Sequence, residues 1–125
     1  MRAVLMEVDE RRRHVMIDGR IDIVRNATAD LLIELSKAWL KGAGSGADPL
    51  DFPCIDATSL TTRLGVSNEE VLRRRIMVAR RLLHDRFQSA GLDAQLGEDL
   101  IENLPWSGYR LTPDRVIVRK LKEPG

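Results

Sequence analysis

Five arginines lie close together in this chain, at positions 73, 74, 75, 80 and 81. A guanidinium group stays charged at any physiological pH, and its N–H groups form a planar fork that matches phosphate oxygens. The segment therefore indicates non-covalent binding of a polyanion. Because residues three and four apart share one face of a helix, these side chains can act together if the segment is helical.

The residues before the arginines predict two helices joined by a tight turn. Leu60 and Leu64 share one face of a first helix over residues 57–64. Gly65 can take the left-handed conformation that ends a helix, and we expect a positive φ there. Ser67, with Glu70 three residues on, has the pattern of a capping box for a second helix over residues 68–88. This is the pattern of a helix-turn-helix.

The second helix is predicted to have a core face and an outward face. The core face is predicted to contain Leu72, Ile76, Ala79 and Leu83. The candidates for contact with the DNA major groove are Ser67, Asn68, Arg73, Arg74, Met77, Arg80 and Arg81. Arg75 lies at the margin of the core face. The alternative is a solvated helix face whose arginines pair with acidic neighbours.

Charge is segregated along a chain that is close to neutral overall. The 125 residues carry 20 basic and 19 acidic side chains, a formal net charge of +1. Residues 63–87 hold seven arginines against three acidic residues, a local charge of +4, which leaves −3 for the remainder. Any positive surface must therefore be local.

Other classes of function have little support in the sequence. No grouping of nucleophile, base and orienting residue indicates an enzyme. The Gly42–Gly46 stretch lacks the Gly-Lys-Ser/Thr ending of a phosphate loop, so no cofactor is expected. One cysteine, Cys54, and two separated histidines do not predict a metal site. No apolar run approaches the ~20 residues of a membrane span, and no signal peptide is evident, so we expect a cytoplasmic protein without a membrane partner.

The remaining elements follow from alternation, periodicity and turn residues. Strands are predicted at residues 4–8, 14–17, 21–24, 100–104, 108–111 and 116–118. A helix is predicted from Asn26 to about Lys41, followed by a flexible link over residues 42–49. Residues 92–98 are predicted to be a loop or a short turn.

Three stretches together resemble a known family. They are Val8-Asp-Glu-Arg-Arg-Arg-His-Val-Met-Ile-Asp-Gly-Arg20, Ala29-Asp-Leu-Leu-Ile-Glu-Leu35 and Leu100-Ile-Glu-Asn-Leu-Pro-Trp-Ser-Gly-Tyr-Arg-Leu111. In their order the chain resembles the winged helix-turn-helix effector domains of the OmpR/PhoB-type response regulators, over roughly residues 3–112. The last stretch, which corresponds to the wing, is the most specific of the three.

The resemblance implies an α+β, winged helix-turn-helix fold in a single domain over residues 1–125. Its parts would be an N-terminal antiparallel meander (3–25), a three-helix core (26–88), a β-hairpin wing (99–112) and a C-terminal extension (113–125). It implies a bacterial, sequence-specific transcriptional regulator that binds double-stranded DNA. The arginine helix would enter the major groove, and Arg110 of the wing would contact a phosphate. Two half-sites would multiply affinity, which favours a homodimer.

The chain also departs from the family. The family normally carries a phosphorylatable receiver, which we do not expect in this chain. The turn at residues 64–67 is shorter than usual, the link over residues 42–55 is longer, and Pro105-Trp106-Ser107 stands where the wing often has an arginine. A winged-helix adaptor that binds protein instead of DNA is the leading alternative. We expect Trp106 to fold back on the core or to contact a protein partner at the wing.

Overall fold

A computed structural model of the protein describes residues 3–121, so positions 1–2 and 122–125 of the predicted domain lie outside the described residues. Within that range the fold is α+β, with four α-helices and two β-sheets. The elements in chain order are β1 (Val4–Asp9), β2 (His14–Ile17), β3 (Ile21–Val24), α1 (Ala27–Gly44), α2 (Ala57–Leu64), α3 (Glu69–Ser89), α4 (Ala94–Glu98), β4 (Ile101–Leu104), β5 (Gly108–Leu111) and β6 (Val116–Lys120). A 3-10 helix covers Pro49–Asp51. No helix in the described range is long and apolar enough to cross a membrane.

The first sheet confirms the predicted meander and adds a fourth strand. Its order is β3-β2-β1-β6, with antiparallel pairing except between β1 and β6, which are parallel. Val4 pairs with Val116 and Met6 with Val118. The segment predicted as a C-terminal extension therefore returns to the N-terminal sheet. Alternation of Val116 and Val118 indicated a strand, but alternation does not identify the pairing partner.

The hydrophobic core lies between this sheet and the helices. Every second residue of β1, β2 and β3 points inward, as half-buried strands do. The core side chains of the sheet are Val4, Met6, Val8, Val15, Ile17, Ile21, Ile23, Val116 and Val118. The helices contribute Leu31, Leu32, Leu35, Leu60, Leu72, Ile76, Leu83 and Phe87. The positions of helices α1 and α3 are thus fixed by packing against one continuous core.

Two of the predicted loop segments are helical. Helix α1 runs to Gly44 and includes Gly42, which was assigned to the flexible link. A Cβ at position 42 would lie 2.7 Å from the Phe52 ring, so only glycine lets the ring pack this closely against α1. The low helix propensity of glycine had indicated a link at this position instead. Residues Ala94–Glu98 form α4 instead of a loop, so the helical part contains four helices in place of the predicted three.

The second sheet is the β4–β5 hairpin, which is anchored at its base. Ile55 forms a bridge with Tyr109, through hydrogen bonds of 2.8 Å and 2.9 Å. Gly108, at φ 128°, faces the Ile55 carbonyl so closely that no side chain fits between them. The hairpin is therefore held firmly beside the segment that leads into α2.

Candidate nucleic-acid interface

Helices α2 and α3 are joined by the tight turn that the sequence predicted. Gly65 ends α2 at φ 66° and ψ 27°, which confirms the expected positive φ. Helix α3 begins at Glu69, one residue later than predicted. The capping residue is Asn68, whose Oδ1 accepts a hydrogen bond from the Val71 backbone N–H at 3.0 Å. The prediction that Ser67 caps α3 is wrong, because both residues are good caps and the sequence pattern did not separate them.

The core side of α3 matches the periodicity. Leu72, Ile76, Ala79 and Leu83 are all buried, as predicted, and Phe87 continues the same row. A helix that is buried along one side over this length has a fixed rotation about its axis. The opposite side must therefore be presented to solvent along most of α3.

Three arginines of α3 are open to solvent. Arg73, Arg74 and Arg81 are exposed, and none of them has an ion pair or hydrogen bond to any residue in the range 3–121. The alternative of arginines paired with acidic neighbours therefore does not describe these three positions. Arg75 is half-buried at the core margin.

Arg80 has a different environment from Arg81. Its side chain is half-buried, and its Nη2 and Nε donate to the Ile101 carbonyl oxygen at 2.9 Å and 3.3 Å. The guanidinium thus ties the middle of α3 to the first residue of β4. We assign Arg80 mainly to the support of the hairpin, although it was predicted as a DNA contact.

Arg110 lies inside the protein instead of at a phosphate-facing surface. Its side chain is 8% exposed and pairs with Glu102 at 2.8 Å. It also donates to the carbonyl oxygens of Phe52 at 2.8 Å and Leu50 at 3.1 Å. The predicted phosphate contact does not fit this position, because the guanidinium is already occupied. The sequence does not reveal these contacts, because residues 50–52 lie about 60 positions before Arg110.

A groove of about 640 Å³ is lined by residues of α3, the hairpin and α4. The α3 wall contains Arg73, Met77, Arg80, Arg81 and His84. The opposite wall contains Asn103 and Tyr109, which are paired across β4 and β5. The groove therefore brings Arg73, Met77 and Arg81 of the predicted set beside polar groups of the hairpin.

Acidic residues lie at both ends of the exposed face of α3 that contains Arg73, Arg74 and Arg81. Glu69 and Glu70 occupy the first turn of α3, where the helix dipole favours them. Asp85 and Glu98 line the far end of the groove, and Asp85 accepts a hydrogen bond from the His84 ring at 3.2 Å. The part of α3 suited to an anion is therefore residues 73–81.

Two exposed apolar side chains lie within this positive part. Met77 is 64% exposed and Val78 is 60% exposed, although both are in the middle of α3. Met77 was among the predicted contacts. Val78 was not, yet its place outside the row of core residues 72, 76, 79 and 83 was a signal that could have identified it.

Trp106 stands at the tip of the β4–β5 hairpin. It is fully exposed and has φ 69°, an uncommon conformation for a bulky residue. The expectation that Trp106 folds back on the core is therefore wrong. Its neighbours Pro105 and Ser107 are uncharged and exposed as well.

Groups that could support other chemistry are few in the described part of the chain. No group of three His, Cys, Asp or Glu residues between positions 3 and 121 is arranged to hold a metal ion. Cys54 is half-buried, and burial raises the pKa of its thiol above the ordinary value, which keeps it protonated.

Comparisons with protein-family models, curated proteins and solved structures found no match. The resemblance to the OmpR/PhoB-type effector domains remains a prediction from the sequence. The function must therefore be argued from the geometry of α3 and its surroundings.

Proposed function

We propose that this protein is a sequence-specific transcriptional regulator that binds duplex DNA. In this proposal the fold is a winged helix-turn-helix, α3 enters the major groove, and the β4–β5 hairpin is the wing. The observation that carries the proposal is that Arg73, Arg74 and Arg81 are exposed and have no ionic partner among residues 3–121, on a helix whose other side is buried. Unpaired guanidinium groups on a rigid support are suited to phosphates and base edges.

The dimensions of this surface fit the groove. An α-helix with its side chains is ~10–12 Å in diameter. The major groove of B-DNA is ~12 Å wide and admits one α-helix. Arg73 and Arg74 would lie near one end of the contact and Arg81 near the other.

The near-neutral total charge of +1 is compatible with this proposal, because the acidic residues that offset the arginines lie mostly elsewhere. Within residues 63–87 the net charge is +4. Binding should still depend steeply on salt, since each neutralised phosphate releases counterions, with a slope of about −0.9 per contact in a logarithmic plot. Three phosphate contacts would give a slope of about −2.7 by the same rule.

The test is a fluorescence-polarisation titration of labelled duplexes from a random pool, at a series of salt concentrations. The variants are Arg73→Ala, Arg74→Ala and Arg81→Ala. The matched control is Arg119→Ala, which removes the same charge from β6, where Arg119 pairs with Glu7 at 2.6 Å. We expect each α3 variant to bind more weakly with a shallower salt slope, while the control binds as wild type. The absence of binding to any duplex at low salt would refute the proposal.

A protein-binding adaptor is the second candidate function, and Trp106 is the observation that favours it. A fully exposed tryptophan at an uncharged hairpin tip suits an apolar pocket better than a phosphate backbone. The test compares Trp106→Ala with the arginine variants, both in DNA titrations and in capture of a partner. If the arginine variants bind DNA as wild type does and only Trp106→Ala loses a partner, the adaptor function is correct.

The homodimer and the cytoplasmic location remain predictions from the sequence. A selected DNA site with two half-sites about one helical turn apart would support binding as a dimer, because the spacing of half-sites reflects protein symmetry.

A further inference from the structure

On the outward face of α3, the apolar side chains of Met77 and Val78 form one layer between two layers of arginines. Met77 and Val78 are consecutive residues, so they lie about 1.5 Å apart along the helix axis. Arg73 and Arg74 precede them by one turn, and Arg81 follows by one turn. The exposed fractions of 64% for Met77 and 60% for Val78 mean that neither side chain is used in the core.

Neither packing nor helix propensity accounts for Val78 at its position. The buried side of α3 is already filled by Leu72, Ile76 and Ala79. A β-branched side chain loses rotamer freedom in a helix, so a solvent-facing position in mid-helix favours other residues. An exposed apolar pair between exposed arginines therefore indicates an apolar contact outside the chain.

We propose that Met77, with Val78 beside it, contacts the C5-methyl group of thymine at the centre of the DNA site. This inference rests on the proposed function. The thymine methyl is the apolar group that base pairs present in the major groove, and apolar side chains recognise it. The arginines on either side would bind the DNA and hold α3 in place, while Met77 and Val78 contact the base edge.

The geometry also predicts where that thymine lies. Arg73 and Arg81 are each four residues from Met77, or about 6 Å along the axis. Successive base pairs are ~3.4 Å apart, so the arginine contacts would lie about two base pairs to each side of the thymine. Met77 faces the groove beside the hairpin and is not shielded by it, since the groove is open to solvent.

The experiment uses the full chain and duplexes selected from a random-sequence pool. The selected pool is amplified once with thymidine triphosphate and once with deoxyuridine triphosphate, which removes every C5-methyl group and preserves base pairing. Affinity for both pools is measured for wild type, for the double variant Met77→Ala/Val78→Ala and for Ile117→Ala. Ile117 is the control because it is an apolar residue of similar exposure, 54%, on β6. Alanine favours helix, so the double variant should fold, which a thermal melt checks.

We expect wild type and Ile117→Ala to bind the uracil pool about fourfold more weakly for each methyl contact, the factor that corresponds to burial of one methyl-sized group. The double variant should bind both pools equally. Individual thymine-to-uracil replacements in one selected duplex should localise the effect to a central position.

The failures of the two proposals are distinguishable. If wild type binds no duplex, both proposals are refuted. If wild type binds both pools equally while Arg73→Ala and Arg81→Ala lose affinity, the protein binds DNA but the thymine contact is wrong. The thymine contact is also wrong if the double variant is as sensitive to uracil as wild type, because the methyl effect then arises elsewhere.

Discussion

The Arg110 guanidinium and the Glu102 carboxylate form an ion pair of 2.8 Å between the two strands of the β4–β5 hairpin. The same guanidinium donates to the Phe52 carbonyl oxygen at 2.8 Å. One buried side chain thus joins the hairpin to the segment that precedes α2. This contact and the bridge between Ile55 and Tyr109 fix the hairpin relative to the helices.

We expect Arg110→Ala to destabilise the protein by about 3 kcal/mol, because it leaves a carboxylate and carbonyl groups without their partner. Urea unfolding measures the free energy. The control, Arg119→Ala, breaks an exposed ion pair with Glu7 and should cost less than ~1 kcal/mol. A stable Arg110→Ala variant that loses only DNA affinity would restore the phosphate contact predicted from the sequence.

Substitutions of the neighbouring residues Arg80 and Arg81 should affect different properties, the first stability and the second DNA binding. Arg80→Ala removes two hydrogen bonds to the Ile101 carbonyl oxygen and should lower stability by about 1–2 kcal/mol. Arg81→Ala removes an exposed side chain that has no partner in the described part of the chain, and should change stability by less than ~0.5 kcal/mol. Under the proposed function, Arg81→Ala weakens DNA binding while the melting temperature stays near that of wild type. Equal stability losses in both variants would contradict the assigned roles.

Gly65→Ala should destabilise the protein by ~1 kcal/mol or more, because alanine is strained at φ 66° although there is room for its Cβ. Gly44→Ala is the matched control. Gly44 is a helical residue of α1 with equally open surroundings, so alanine should be neutral there or raise stability by up to ~1 kcal/mol. Thermal melts compare the two variants. An unchanged midpoint for Gly65→Ala would mean that the turn has a different conformation in solution.

Asp56 should make the stability of α2 depend on acid pH. Hydrogen bonds from the Ser59 backbone N–H and hydroxyl lower the pKa of its carboxyl from the ordinary 3.8. Because the folded pKa is lowered, the carboxylate stabilises the fold above the ordinary value, and this contribution is lost as pH falls through the folded pKa. Asp56→Asn keeps a capping oxygen but does not titrate.

The measurement for Asp56 is the melting temperature of wild type and Asp56→Asn between about pH 6 and about pH 2, a range that extends to both sides of the ordinary pKa of 3.8. We expect the advantage of wild type to diminish below the ordinary value of 3.8. A difference between the two proteins that is constant across the range would show that the capping charge contributes nothing.

The features that the sequence predicted well are local ones. Helix α2 spans Ala57–Leu64 as predicted, and Gly65 ends it with a positive φ. The core face of α3 follows from the spacing of Leu72, Ile76 and Leu83. These properties depend on residues within one or two helical turns, so periodicity and capping preferences suffice to determine them. Local information did not suffice to decide whether Ser67 or Asn68 caps α3.

Only the tertiary structure decided which groups each side chain contacts. The sequence presents Arg80, Arg81 and Arg110 as similar cations, yet Arg80 binds a carbonyl of β4, Arg81 faces solvent and Arg110 is buried against Glu102. Likewise, the residues of β6 indicate a strand, but its parallel pairing with β1 joins segments more than 100 residues apart. Contacts between distant segments depend on how the whole chain packs, and no short stretch of sequence contains that information. For the same reason, the sequence located the arginine helix, and the fold determined which of its arginines are available to a ligand.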